Sequence, residues 1–339
     1  MMRALLVLLV SSLFLAAARA DDVHVTDPGV LYGIVVKSQG LTFSGVKPWH
    51  LKASYTLFDA KGNTPVNGIF EEWYVGPHRY KRSYTRPGFT QTDYGTDAGL
   101  YRSGEQNWPA QDEFRIPVNL FEPLPDLRGT KDFTFEKADF TGDVKLRCIV
   151  LAHSTGANPV VGATFPTFCI DPETPVLRLS VPYGASTETI YNRIQVFQNH
   201  YVAGELIINI RGKTVFKLAV GSLERLQDPD NALFTPPSDA VLLPSGSITL
   251  PAGSLQMLKN VAIVYPALAK AQRDDGVVRI QATIDRNGHV AKAKIISGPR
   301  MMQQPSLDAV NQWIFRPFLL SGEPVEVDMV VRITFYIGR

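Results

Sequence analysis

The chain has 339 residues, 45% hydrophobic and 19% charged, a globular composition that excludes global disorder. Lys and Arg number 34 against 32 Asp and Glu, and no basic run occurs, so nucleic acid is excluded as a partner. The length exceeds one ordinary core and predicts two domains.

Arg3 precedes an almost unbroken apolar run, Ala4 to Ala17, followed by Ala18-Arg19-Ala20 and Asp21-Asp22. A positive start, an apolar stretch and an Ala-x-Ala site form the pattern of a secretory signal peptide. The run is shorter than the roughly 20 residues needed to cross a bilayer, and no later stretch is apolar enough to span one. The expectation is a cleaved signal over residues 1–20 and a soluble periplasmic chain; an uncleaved anchor is the alternative. No Cys lies near the site, which argues against lipid attachment there.

Leu51, Ala53, Tyr55 and Leu57 alternate with polar Lys52, Ser54 and Thr56, the pattern of a half-buried strand. Asp59 to Asn63 reads as a turn. Val66 to Val75, Tyr80 to Tyr84 and Phe89 to Tyr94 read as further strands, with Arg86-Pro87-Gly88 between the last two. Short strands spaced by turn signals predict an antiparallel meander rather than βαβ units. Phe114 to Asp126 carries Pro117, Pro123 and Pro125, so any helix there is short.

Strand signals resume at Val144 to Ala152, Phe165 to Ile170 and Val176 to Val181. They continue at Tyr191 to Phe197, Val202 to Ile210 and Thr214 to Val220. One sheet, strongly twisted and partly closed, accommodates them. Cys148 and Cys169 are the only cysteines and both fall in strand-like segments. An oxidising compartment favours their pairing, worth about 3 kcal/mol on the entropic model. The alternatives are two buried free thiols or a metal pair, and no His or carboxylate cluster at ligand spacing supports a metal.

Gln227 to Ser254 is rich in Pro and Gly and reads as a semi-rigid linker over residues 228–254. It divides a mostly β domain (residues 21–227) from a C-terminal unit (residues 255–339). In that unit Ala267 to Gln272 reads as a short helix. Val278, Ile280, Ala282 and Ile284 alternate as a strand, and Asp285-Arg286-Asn287-Gly288 is a hairpin turn. His289 to Ser297 is the return strand. Pro305 opens a second helix carrying Leu307, Val310 and Trp313. Met329, Val331, Ile333 and Phe335 form the core face of a last strand. The order helix, strand, strand, helix, strand is a small α+β unit.

This order resembles the TonB C-terminal domain family. The likeness is carried by Tyr265-Pro266, Gly276-Val277-Val278, Ile284 to Val290, Ser297-Gly298, Ala309-Val310, Trp313 to Pro317, Gly322 to Val325 and Ile333-Thr334-Phe335. The resemblance implies docking to an envelope or outer-membrane protein by β-strand addition. It places the receptive edge at Val330 to Tyr336, with Val330, Arg332, Thr334 and Tyr336 available to a partner. Energy transducers of that family carry a membrane anchor and a long spacer; the expectation here is a cleavable signal and a β domain in their place.

From Lys47 to about Leu226 the Trp49 to Tyr55 strand, Glu72-Trp73-Tyr74 and the aromatic meander resemble the half-barrel of the LolA and LolB lipoprotein carriers. That resemblance implies an apolar cavity for a lipid or acyl ligand, with Phe70, Trp73, Tyr84 and Phe89 as lining candidates or as ordinary core. Glu71-Glu72 and Asp274-Asp275 read as solvated neighbours. The six histidines show no zinc-site spacing, and no nucleophile elbow or phosphate loop occurs. The expectation is therefore no catalytic residue, no metal and no cofactor. Three readings follow: an envelope adaptor with a docking domain, a lipid or lipoprotein carrier with an accessory tail, or a hydrolase without a familiar motif.

Overall fold

The computed structural model describes residues 26–59, 65–127, 133–141, 145–153, 165–184, 186–243, 248–250, 253–320 and 323–337. The expected signal over residues 1–20 and most of the expected turn after Asp59 lie outside the described residues.

Helix α1 (Pro28–Ser38) is opened by Asp27, whose carboxylate accepts from the Val30 amide, with Pro28 inside the first turn. Strands β1 (Trp49–Leu57), β2 (Val66–Gly76), β3 (Arg79–Arg86), β4 (Phe89–Thr96) and β5 (Gly99–Gly104) run as an antiparallel meander. Two short helices follow, α2 (Gln111–Phe114) and α3 (Ile116–Phe121). A second antiparallel series is made by β6 (Phe133–Thr141), β7 (Lys145–His153), β8 (Thr167–Ile170), β9 (Leu177–Val181) and β10 (Thr187–Asn192). After a small hairpin of β11 (Gln195–Phe197) and β12 (His200–Val202), strands β13 (Glu205–Ile210) and β14 (Lys213–Arg225) complete the set.

β14 joins the halves. It pairs with β1 from Trp49↔Arg225 to Leu57↔Phe216, and with β13 on its other side. With β15 (Val241–Leu242) added to β5, the order is β15-β5-β4-β3-β2-β1-β14-β13-β10-β9-β8-β7-β6, one sheet of thirteen strands. The mostly antiparallel β class expected from the alternation is the class observed. Burial follows the two-residue period: Leu51, Ala53 and Tyr55 are in the core while Lys52 and Ser54 face solvent. Cys148 and Cys169 sit opposite one another on β7 and β8 and are joined as a disulfide.

The C-terminal unit contains β16 (Ile248–Leu250), β17 (Met257–Lys259), α4 (Ala267–Gln272), β18 (Gly276–Ile284) and β19 (Val290–Ser297). It continues with α5 (Arg300–Val310), β20 (Ile314–Phe315), β21 (Phe318–Leu320), β22 (Glu323–Val325) and β23 (Val327–Phe335). The expected order appears as α4, β18, β19, α5, β23. The main sheet is β16-β23-β18-β19. Val278, Ile280, Ala282 and Ile284 are fully buried against Met329, Val331, Ile333 and Phe335. Arg273 ends α4 in the left-handed region at φ 55°. In the β18–β19 turn, Asp285 Oδ1 accepts from the amides of Asn287 and His289 at 2.8 and 2.9 Å. Gly288, at φ 87°, lies so close to the Phe315 carbonyl that a Cβ would overlap it.

One expectation is corrected. Pro305 does not open α5 but lies inside it, and Arg300 is the first helical residue after Pro299. The first turn's amides need no intrahelical partner, and the ring at Pro305 removes only one bond further in.

The segment expected as a linker carries a 3-10 turn at Asn231–Phe234 and two strands, one on each unit. The Trp108 indole donates to the Thr249 carbonyl at 3.1 Å, and Gln111 and Arg115 both donate to the Gly253 carbonyl at 2.6 Å. Phe114 stacks on Phe318 with ring centres 5.9 Å apart.

Candidate functional site

Two features stand out, the outer edge of β23 and a cavity between the large sheet and the C-terminal unit. On one side β23 pairs with β18 along its whole length, from Gly276↔Phe335 to Ile284↔Val327. On the other side β16 pairs only with its start, in parallel, through Ile248↔Val327, Thr249↔Asp328 and Leu250↔Met329. The segment expected as a linker thus covers the first third of this strand. From Val330 to Phe335 the strand has no further strand partner among the described residues.

The direction of the free donors follows from one bond. The Ile337 amide donates to Asp275 Oδ1, just beyond β18, at 3.0 Å. Backbone direction repeats every two residues, so the amides of Val331, Ile333 and Phe335 face β18. Those of Val330, Arg332, Thr334 and Tyr336 face the open side. Arg332 and Thr334 are exposed, Val330 is half-buried, and Tyr336 is 68% exposed.

The cavity, about 500 Å³, is lined by β2–β5, by β9, β10 and β13, by α2 and α3, and by residues 253–257 and 316–320. Its polar wall is a ladder of alternating charge. Glu72 on β2 lies opposite Arg82 on β3, which lies opposite Asp93 on β4, which lies opposite Arg102 on β5. Arg82 binds Glu72 through Nε at 2.6 Å and Nη2 at 3.1 Å. Arg102 binds Asp93 through Nε at 2.7 Å and Nη2 at 2.9 Å, and its guanidinium lies 4.3 Å from the Trp108 ring centre. Burial raises the Glu72 carboxyl above the usual range, with Arg82 opposing the shift.

Across the cavity the Arg316 guanidinium donates to the Glu122 carbonyl and lies 3.7 Å from its carboxylate. Burial lowers the Arg316 pKa and pushes the Tyr191 phenol up to about 12. Glu113, fully buried, accepts from Tyr55 at 2.5 Å, Arg86 at 2.8 Å and the Ala110 amide at 2.8 Å, and so ties α2 to the sheet.

Of the four aromatics proposed for an apolar cavity, Tyr84 lines it and the other three do not. Trp73 falls between inward Glu72 and Tyr74, so the period puts it on the opposite face, stacked 4.7 Å from His50. Phe70 faces inward but is roofed by Phe121 and Tyr84. Phe89 lies under the Arg86 guanidinium at the start of β4. The cavity has a charged wall along β2–β5 and an apolar side that includes Leu255, Met257, Phe318 and Leu320. Glu71 and Glu72 are not alike: Glu71 faces His50 and Lys52 outside, while Glu72 is 1% exposed. The missed signal was charge in phase with core positions, Glu72 between Phe70 and Tyr74. Among the described residues no group of His, Cys, Asp and Glu is arranged to hold a metal ion.

Residues 261–337 match the family described as Gram-negative bacterial TonB protein C-terminal. Over 73 residues the chain is 32% identical to Protein TonB of Vibrio cholerae, covering 21% of this chain and 30% of that protein. The solution structure of the Pseudomonas aeruginosa TonB C-terminal domain is 24% identical, covering 27% of this chain and 94% of that one, with a TM-score of 0.24. A putative outer membrane lipoprotein-sorting protein domain from Vibrio parahaemolyticus is 10% identical over 56% of this chain and 90% of its own, with a TM-score of 0.34. A LolA superfamily protein from Nitrosomonas europaea is 9% identical over 62% of this chain and 98% of its own, also with a TM-score of 0.34. The resemblance read from the sequence for the C-terminal segment is matched by that family over residues 261–337.

Proposed function

We propose that this chain is a periplasmic envelope adaptor that binds rather than catalyses, and that a partner polypeptide adds as a strand to the open part of β23. The observation that carries this reading is the uneven pairing of β23, complete toward β18 and limited to Val327–Met329 toward β16. An unpaired row of backbone donors and acceptors is a template for an extended peptide. The family match over residues 261–337 supports the reading, and the leader-like start supports the location. The partner class is an outer-membrane or other envelope protein that presents an extended segment. The matched stretch is 30% of TonB, and no energy transduction is assigned to this chain.

The test uses the outward amide of Thr334. Thr334→Pro removes that donor and blocks close approach, whereas Thr334→Ala keeps the backbone intact. With folding checked by circular dichroism, the proline variant is expected to lose capture of envelope proteins and the alanine variant to retain it. Undiminished capture by folded Thr334→Pro places binding elsewhere. A lipid or acyl carrier is the second reading, supported by the apolar side of the cavity formed by Leu255, Met257, Phe318 and Leu320.

A further inference from the structure

We infer that the strand added to β23 carries a carboxylate side chain directly opposite Arg332, set between two apolar residues, and that Arg332 and Arg279 select it. The inference rests on strand addition at the open part of β23 and names what the partner brings there. Along β18 and β23, Val278, Ile280, Val331 and Ile333 are buried, so Arg279 and Arg332 between them take the outer face, where both are exposed. The register sets these two arginines directly opposite one another. Like charges in that position repel. Among the described residues neither guanidinium has a hydrogen-bond or ion-pair partner. Exposed Lys292 and Lys294 of β19 lie opposite Thr283 and Gln281 on the same face. The carboxylate of this face, Asp328, accepts from the Thr283 hydroxyl at 2.6 Å.

The large sheet of the same molecule offers the contrast. Its row across β2 to β5 alternates in charge: Glu72, Arg82, Asp93, Arg102. In the small sheet the row reads Ser297, Arg279, Arg332 and then the open place beyond β23. A strand added there sets one residue opposite Arg332, its Cβ about 4.5–5.5 Å away and its side chain on the same outer face. An acid at that place meets Arg332 directly and Arg279 one strand further on, and offsets the repulsion between them. A lysine there adds a third like charge. The two residues flanking it in sequence point to the other face, level with Val331 and Ile333, where apolar side chains continue the core. The partner segment thus reads apolar, acidic, apolar, whichever way the strand runs.

The experiment follows the full chain by NMR as it is titrated with the peptide acetyl-Thr-Val-Glu-Val-Thr-amide, and with the same peptide carrying Lys in place of Glu. The sequence reads alike in both directions, so either strand polarity can bring the central residue to Arg332. The amides of Val330, Arg332 and Thr334 are expected to shift with both peptides, and the Glu peptide to bind about fivefold tighter or more. High salt is expected to shrink that preference. Arg332→Glu is expected to reverse it and Arg279→Gln to reduce it. Both variants are expected to melt no lower than the parent, because each removes a like-charge contact; a structural role for either arginine would lower the melting temperature. Equal binding of the two peptides at this edge overturns the inference and leaves strand addition standing, whereas no shift of these amides with either peptide overturns both. Adsorption to phosphatidylglycerol vesicles that Arg332→Glu abolishes, without any peptide preference, assigns the arginines to a lipid surface and overturns the inference as well.

Discussion

Asp93 and Arg102 carry opposite charges on neighbouring strands, both nearly sealed from solvent and bonded twice. Removing one partner leaves the other as an uncompensated buried charge. Asp93→Ala is therefore expected to destabilise the chain by about 3–5 kcal/mol in urea unfolding. Asp93→Leu with Arg102→Met is expected to recover most of that loss, because no charge is left unpaired. A single variant as stable as the parent contradicts the pairing. The tyrosines set an alkaline limit. Burial raises the phenols of Tyr74 and Tyr191 to about 12 from an ordinary 10.0, so folding favours their neutral form. A raised folded-state pKa gives stability that is full below pH 10 and lost as pH climbs through 12. The melting temperature is expected to fall across that window as tyrosinate absorbance rises, and less steeply in Tyr191→Phe. A flat profile to pH 12 contradicts it. At this scale the sequence was partly legible: the cysteine pair could be read from compartment and strand placement. Glu72 could not, because a carboxylate beside Glu71 reads as solvated until the register places Arg82 opposite.

Strands with strict alternation were legible as elements. β1, β18 and β23 keep apolar residues at every second position, and burial follows that pattern. β5 and β6 were missed because their sequences break it. β5 turns a charged Arg102 inward, and β6 interrupts its phenylalanines with Glu136, Lys137 and Asp139. α1 was missed because PGVLYGIVVKS is apolar nearly all round and shows no helical stripe, although Asp27-Pro28 marks its start. The disulfide acts at this scale, fixing β7 to β8. Alkylation of the denatured, unreduced chain is expected to label neither cysteine. Replacing both with Ala is expected to lower stability by about 3 kcal/mol; full labelling without reductant contradicts the bond.

At the scale of the whole molecule, the two larger of three hydrophobic clusters among the described residues each take in part of the segment read as a linker, Leu243 in one and Ile248 and Leu250 in the other. Proline and glycine content indicated a boundary there but could not show where the segment goes. β15 extends the large sheet, β16 extends the small one, and the residues just after β16 form part of the cavity wall. These placements depend on contacts far apart in sequence, such as Trp108 with Thr249 and Arg316 with Glu122. The same geometry narrows the docking edge. It begins at Val330, because β16 already holds Met329. Hydrogen exchange along β23 in the full chain, alone and with a captured envelope partner, tests this most directly. In the free chain the amides of Val331, Ile333 and Phe335 should exchange slowly and those of Val330, Arg332, Thr334 and Tyr336 rapidly, with the second set slowing together in the complex. Equal protection of both sets in the free chain, or no slowing of the second set with partner bound, would contradict strand addition at this edge.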